Sequence, residues 1–105
     1  MHIYRMSPFE AIAEPNRRRL LELLRSGEWA AGDLVKATGL SQPGASKHLK
    51  QLREAGLVSV RAEGQKRLYR LEAGELAVLD SWLEQFRQFW IDRLDALNDH
   101  LEKEQ

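Results

Sequence analysis

Residues 41–57 read SQPGASKHLKQLREAGL, and few conformations suit that stretch. Ser41 is a natural helix N-cap, because its side-chain oxygen can accept from an otherwise unpaired amide two or three residues on. Pro43 falls in the first turn, where a missing N–H removes no intrahelical hydrogen bond. Gly56 supplies the stop. Between them Ala45, Leu49 and Leu52 recur at helical spacing and form one apolar face. Gln42, Ser46, Lys47, Lys50 and Arg53 take the other side, with one acid nearby at Glu54. An ordinary amphipathic helix with a solvated basic face satisfies this pattern. So does a helix whose polar face enters a DNA major groove, where amides and hydroxyls read base edges and Lys and Arg hold phosphates. The neighbouring segments bear on the choice.

The spacing upstream predicts three shorter helices. Ser7-Pro8 opens the first, with Phe9, Ile12 and Ala13 on one side, and His2, Ile3 and Tyr4 before it read as a short arm or a disordered start. Pro15 can begin the second, which runs to about Arg25 with Leu20, Leu21, Leu23 and Leu24 for the core. Arg17, Arg18 and Arg19 crowd its start, where positive charge opposes the helix dipole, and are expected on a solvated face, with backbone phosphate contact as the sharper option. Residues 29–38 read as a third helix with Leu34 and Val35 inward, closed by Gly39. Gly39-Leu40-Ser41 is then a tight link, and two short helices joined by a glycine-containing turn form a helix-turn-helix.

After Gly56 the period changes from helical to alternating. Leu57, Val58 and Val60 alternate with Ser59 and Arg61, and residues 68–71 offer a returning strand. Glu63-Gly64-Gln65 is the turn, so the hairpin tip presents Arg61, Gln65, Lys66 and Arg67. Tyr69 and Leu71 are expected in the hairpin core. From about residue 73 to 102 a single long helix follows, with Leu76, Leu79, Leu83, Phe86, Trp90, Leu94, Leu97 and Leu101 every three or four residues and Trp82 and Phe89 widening the stripe. At about 1.5 Å per residue it would be roughly 45 Å long, more than a domain this small can cover. The stripe therefore calls for a second chain, most simply a homodimer. An aromatic ligand box is the rarer use of such a stripe.

The net charge is zero, which looks wrong for a nucleic-acid binder until it is divided along the chain. Residues 1–40 hold six Lys/Arg and five Asp/Glu, residues 41–71 hold seven and two, and residues 72–105 hold three and nine. A middle of +5 and a tail of −6 are thus segregated, and a local basic patch is what phosphate binding needs. The 105 residues make one domain, 43% hydrophobic and 30% charged, as expected of a soluble globular chain. No apolar run is long enough to cross a membrane and no signal peptide is evident, so a cytoplasmic location is expected. With no cysteine there is neither a disulfide framework nor a thiolate metal site. No Gly-rich phosphate loop or HExxH is present, and the three histidines fall on different elements, which argues against an enzyme.

In this order, helix-turn-helix, basic hairpin and long helix resemble the winged-helix repressors of the ArsR/SmtB family. The resemblance is carried by LSQPGASKHLKQLREAGLV at residues 40–58, PNRRRLLELL at 15–24 and EGQKRLYRL at 63–71. The ending FWIDRLDALNDHLE at 89–102 is similar to a branch without the metal boxes. The resemblance implies a mainly α chain with a two-stranded β wing, a single winged helix-turn-helix domain over residues 1–105 with its wing at about 57–71 and its dimerisation helix at about 73–102. It implies a homodimeric repressor on an inverted-repeat operator in double-stranded DNA. Gln42 and Ser46 would then read bases, with Ser41, Lys47 and Lys50 on or near phosphates. His48 would either touch backbone or support the helix. Arg53 and the wing residues Arg61, Gln65, Lys66 and Arg67 complete the expected DNA surface. The expected dimer surface is Phe9, Leu79, Trp82, Leu83, Phe86, Phe89, Trp90, Leu94, Leu97 and Leu101.

Three departures bear on stability. Gly44-Ala45 replaces a more usual Ala-Val and should loosen the helix start by about 1 kcal/mol. Ala30 stands where Ser or Thr often caps the third helix, and Glu14 where Asp often caps the second. The stretch that carries Cys-x-Cys in metal-sensing members is here Ala30-Ala31-Gly32-Asp33-Leu34, and the last helix offers only Asp92, Asp95, Asp99 and His100. No metal site and no cofactor are therefore expected, a metal-responsive repressor with ligands shared across a dimer being the lesser alternative. A protein-interaction module that uses the fold as scaffolding is the other, and the segregated charge speaks against it.

Overall fold

The structure, a computed structural model, describes residues 5–103, so His2, Ile3 and Tyr4 lie outside the described residues. Helices α1 (Pro8–Ile12) and α2 (Pro15–Leu24) lead into a two-residue strand β1 (Trp29–Ala30). Next come α3 (Ala31–Thr38) and α4 (Gln42–Glu54), the hairpin strands β2 (Val58–Glu63) and β3 (Lys66–Leu71), and the long α5 (Ala73–Lys103).

Each helix start shows its local cause. At α1, Ser7 Oγ accepts from the Glu10 amide at 3.1 Å while the Glu10 carboxylate accepts from the Ser7 amide at 3.2 Å, a capping box. Glu14 caps α2 through the Arg17 amide at 2.9 Å, and Ala30 gives α3 no side-chain cap. Ser41 caps α4 through the Gly44 amide at 3.1 Å. A Cβ on Gly44 would lie 2.9 Å from Ser41 Oγ, so the residue expected only to loosen this helix also makes room for its cap. At the other end the amides of Gly56 and Leu57 donate to the carbonyls of Arg53 and Leu52. Gly56 has φ of 77°, and the pair forms a Schellman stop.

The sheet differs from expectation by one strand. Trp29 and Ala30 do not begin the third helix but pair antiparallel with Tyr69 and Leu68, giving the order β1-β3-β2. A two-residue strand is too short to show alternation, and its pairing partner is remote in sequence. β2 and β3 pair from Val58↔Leu71 to Glu63↔Lys66, leaving Gly64-Gln65 as a two-residue turn with Gly64 at φ 62°.

The core gathers Leu20, Leu24, Leu34, Leu49, Leu52 and Leu57, all fully buried, with Ala11, Val58 and Tyr69. Full burial of each large side chain stabilises by roughly 1.5–3 kcal/mol. Of the three arginines of α2, Arg17 departs from the solvated face expected of it, while Arg18 and Arg19 are exposed. Arg17 is buried, and its Nε and Nη2 donate to the Ala11 and Glu10 carbonyls at 2.8 and 3.1 Å while Nη1 donates to Gln51 of α4 at 2.8 Å. Arg18 donates to the Ile12 carbonyl, and Arg19 to the Ala37 and Thr38 carbonyls at the end of α3. These carbonyls lie in the last turns of α1 and α3, where helical partners run out; the guanidinium donors bond them, the Glu10 carbonyl also accepting from the Ala13 amide at 3.2 Å.

Among the described residues, α5 is anchored only at its beginning. Leu76 is half-buried and Leu79 buried, whereas every side chain at residues 80–103 is exposed. Leu79, expected on a dimer surface, belongs instead to the chain's own core.

Candidate nucleic-acid interface

Burial of Ala45, Leu49 and Leu52 fixes how α4 rotates, and it leaves Ser41, Gln42, Ser46, Lys47, Lys50 and Arg53 exposed. The hairpin brings the wing tip back to the start of this helix. Gln42 of α4, Lys36 of α3 and Gln65, Lys66 and Arg67 of the wing line one groove of about 430 Å³. Beside it, a hollow of about 600 Å³ between α3, α4 and β3 is lined by Gln42, Ser46 and Arg67 together with apolar Val35, Leu49 and Tyr69. Lys36 was missed from sequence. Its only signal there is a cation in the last turn of the first helix of the helix-turn-helix, which equally suits the helix dipole.

Electrostatics distinguish two sets of cations. Arg61, Arg70 and Arg87 are held by carboxylates of this chain. Among the described residues, Lys47, Lys50, Arg53, Lys66 and Arg67 make no ion pair and are exposed. Unneutralised cations on one surface are what a polyanion backbone requires.

Two residues expected on DNA are engaged elsewhere. Arg61 donates from Nε and Nη2 to the two oxygens of Glu28 at 2.8 and 2.9 Å, a bidentate strap from the wing to the turn before β1. That hydrogen bonding holds the Glu28 carboxyl below the usual carboxylate range. His48 is turned inward, its Nδ1 buried and 3.9 Å from Glu14 Oε2. Burial works to raise the Glu14 carboxyl, but the Arg17 amide bond and the neighbouring His48 outweigh it and leave the value lowered. The supporting role is thus the one the geometry favours for His48. At the wing base Ser59 donates to Glu72 at 2.6 Å and accepts from Arg70 at 3.0 Å, and the Ser59 bond is the chief cause of the lowered Glu72 value.

A second surface lies on α5. Trp82, Leu83, Phe86, Phe89, Trp90, Leu94, Leu97 and Leu101 are all exposed, Trp90 by 63%. Exposed Phe9 of α1 continues the patch, its ring 5.7 Å from that of Trp82, which stands 4.9 Å from Phe86. Among the described residues no three His, Asp or Glu side chains are grouped to hold a metal, and no helix is long and apolar enough to cross a membrane.

Residues 14–60, which include the helix-turn-helix, match the family described as bacterial regulatory protein, arsR family. The transcriptional repressor SdpR of Bacillus subtilis is 36% identical over 78 residues, covering 74% of this chain and 87% of that protein. This chain belongs to the ArsR family. A crystal structure of a possible transcriptional regulator for arsenical resistance is 45% identical with a TM-score of 0.68, covering 87% of this chain and 92% of its own. The probable mercury resistance operon repressor of Streptomyces lividans is 41% identical over 72 residues, covering 69% of this chain and 56% of that protein. As an ArsR-family member the chain is a DNA-binding transcriptional regulator with a winged-helix fold, and not an enzyme.

Proposed function

We propose that the chain is one protomer of a two-fold homodimer that represses transcription from an inverted-repeat operator. Gln42 and Ser46 read base edges in the major groove, and Ser41, Lys47, Lys50, Lys66 and Arg67 hold phosphates, with Gln65 beside them at the wing tip. The repressor acts in the cytoplasm, where it meets the chromosome, and its DNA binding does not respond to metal ions.

The observation that carries the dimer is the uncovered aromatic and leucine stripe on α5, where every residue from 80 to 103 is exposed. Full burial of a large apolar side chain contributes roughly 1.5–3 kcal/mol; these are about half exposed, so the eight from each of two copies contribute about 12–24 kcal/mol against an association cost of about 4–15 kcal/mol. Two copies packed stripe to stripe form an isologous interface and point two α4 helices the same way. Such a dimer matches half-sites about 34–36 Å apart, one turn of DNA.

The test replaces Trp90 and Leu94 together by Glu. Sedimentation should show a folded monomer, and footprinting should show loss of the protected inverted repeat. A dimer of unchanged stability would refute the assigned surface.

A further inference from the structure

A third groove, on the other flank of α4, was not anticipated. It is about 640 Å³ and lies between the segment before α1, the last turns of α4 and strand β2, with Arg5, Lys50 and Arg53 around it. Val58 and Val60 also line it, and Glu54 is its one acid among the described residues. All three cations are exposed, and none makes an ion pair among the described residues. This contrasts with Arg17, Arg18, Arg19 and Arg61, each of which is engaged by a carbonyl, an amide or a carboxylate of the chain. Three uncompensated cations sharing one groove repel each other, and a bound anion relieves that repulsion. Two guanidinium forks and an ammonium suit phosphate oxygens in particular.

We infer that this groove clamps the DNA sugar-phosphate backbone, and that Arg5 is a DNA-binding residue. The inference rests on the reading of α4 as the helix in the major groove. From Gln42 to Arg53 the helix advances about 16 Å at 1.5 Å per residue, whereas the major groove is about 12 Å wide. With Gln42 over base edges, the Lys50 and Arg53 end reaches past the groove to a phosphate strand. The wing lines its groove with Gln42 at the start of α4, and the segment carrying Arg5 flanks the end of the same helix. The helix is thus bracketed by two phosphate-binding elements, one at each end. The groove takes backbone and contributes no sequence preference.

The test measures binding of an operator duplex and a random duplex between 50 and 200 mM salt for wild type, Arg5→Gln, Arg5→Lys and Lys66→Ala. Arg25→Gln serves as control, because Arg25 is exposed at the end of α2 and does not line the groove. Arg5→Gln should weaken both duplexes by the same factor, about eightfold at 0.1 M salt, and reduce the slope of log K against log salt by about 0.9, as one lost phosphate contact requires. Arg5→Lys should keep the slope, and Arg25→Gln should change neither quantity. An unchanged slope for Arg5→Gln, with Lys66→Ala still lowering it, overturns the clamp while leaving the reading of α4 and the wing intact. If the wild type shows no salt-dependent binding to either duplex, the reading of α4 itself fails. Loss confined to the operator also overturns the clamp, since it would make Arg5 a base reader. So does release of DNA by inorganic pyrophosphate that Arg5→Gln abolishes with its slope unchanged, which would assign the groove to a soluble phosphate.

Discussion

Arg17→Met tests whether a buried guanidinium holds the first helices to the recognition helix. Methionine retains much of the apolar stem but none of the donors. Three hydrogen bonds disappear, of which the one to the Ala11 carbonyl at 2.8 Å is fully buried, while those to Gln51 at 2.8 Å and the Glu10 carbonyl at 3.1 Å are partly so. Hydrogen bonds to charged groups contribute about 1.5–3 kcal/mol each, and a buried carbonyl left unsatisfied costs about 1–3 kcal/mol. Counting the buried bond in full and discounting the other two for water, the loss should be about 3–5 kcal/mol. That is a large part of the 5–15 kcal/mol typical of a whole domain. Urea unfolding followed by circular dichroism, at one fixed protomer concentration, should show the midpoint fall by about 2 M with an m-value of about 2 kcal/mol/M unchanged. Arg18→Met is the control: its bond to the Ile12 carbonyl is exposed, so the cost should stay below about 1 kcal/mol. A loss under 1 kcal/mol for Arg17→Met, or an equal loss for Arg18→Met, would refute the reasoning.

Positioning and reading should separate on α4 and the wing. Lys66→Ala or Arg67→Ala should weaken binding to all sequences and lower the salt slope by about one unit, whereas Gln42→Ala should relax preference at one or two base pairs at a cost of roughly 1–3 kcal/mol on the correct site; selection from a randomised operator pool checks both, and the reverse pattern exchanges the two roles. Because Arg61 holds the Glu28 carboxyl below its ordinary value of about 4.3, the wing strap is complete above about pH 5 and is lost as pH falls through the lowered Glu28 value. Amide protection factors in β2 and β3 should therefore drop on acidification in the wild type and show no such step in Glu28→Gln; equal steps in both would place the titration elsewhere. Zinc, nickel or copper added at micromolar concentration to the protein–DNA complex should leave it intact, and release abolished by His100→Ala would overturn metal independence.

Signals that act within a few residues were legible in the chain before folding was considered. The Ser41 cap, the Gly56 stop, the alternation of residues 58–71 and the stripe on the last helix all operate at spacings of two to four residues, and the elements fall where those signals put them. The exposed basic face of α4 was legible for the same reason, since helical geometry ties burial of Leu49 and Leu52 to exposure of Lys50 and Arg53.

What only the tertiary structure decided is the use of side chains whose partners lie far along the chain. Arg61 meets Glu28 across 33 residues and Arg17 meets Gln51 across 34, so composition could not distinguish a structural arginine from one free for phosphate. His48 shares a helix with Lys47 but faces Glu14, because its position on α4 turns toward the packed helices and not toward solvent. β1 exists only because β3 presents Leu68 and Tyr69 to it, and two residues carry no period of their own. Leu79 and Leu83 belong to one stripe in sequence, yet the first is buried and the second exposed, because the other described residues cover α5 only at its start. Local periodicity determined which residues form helix and strand; the packing of distant segments determined which charges and which apolar faces remain for a partner.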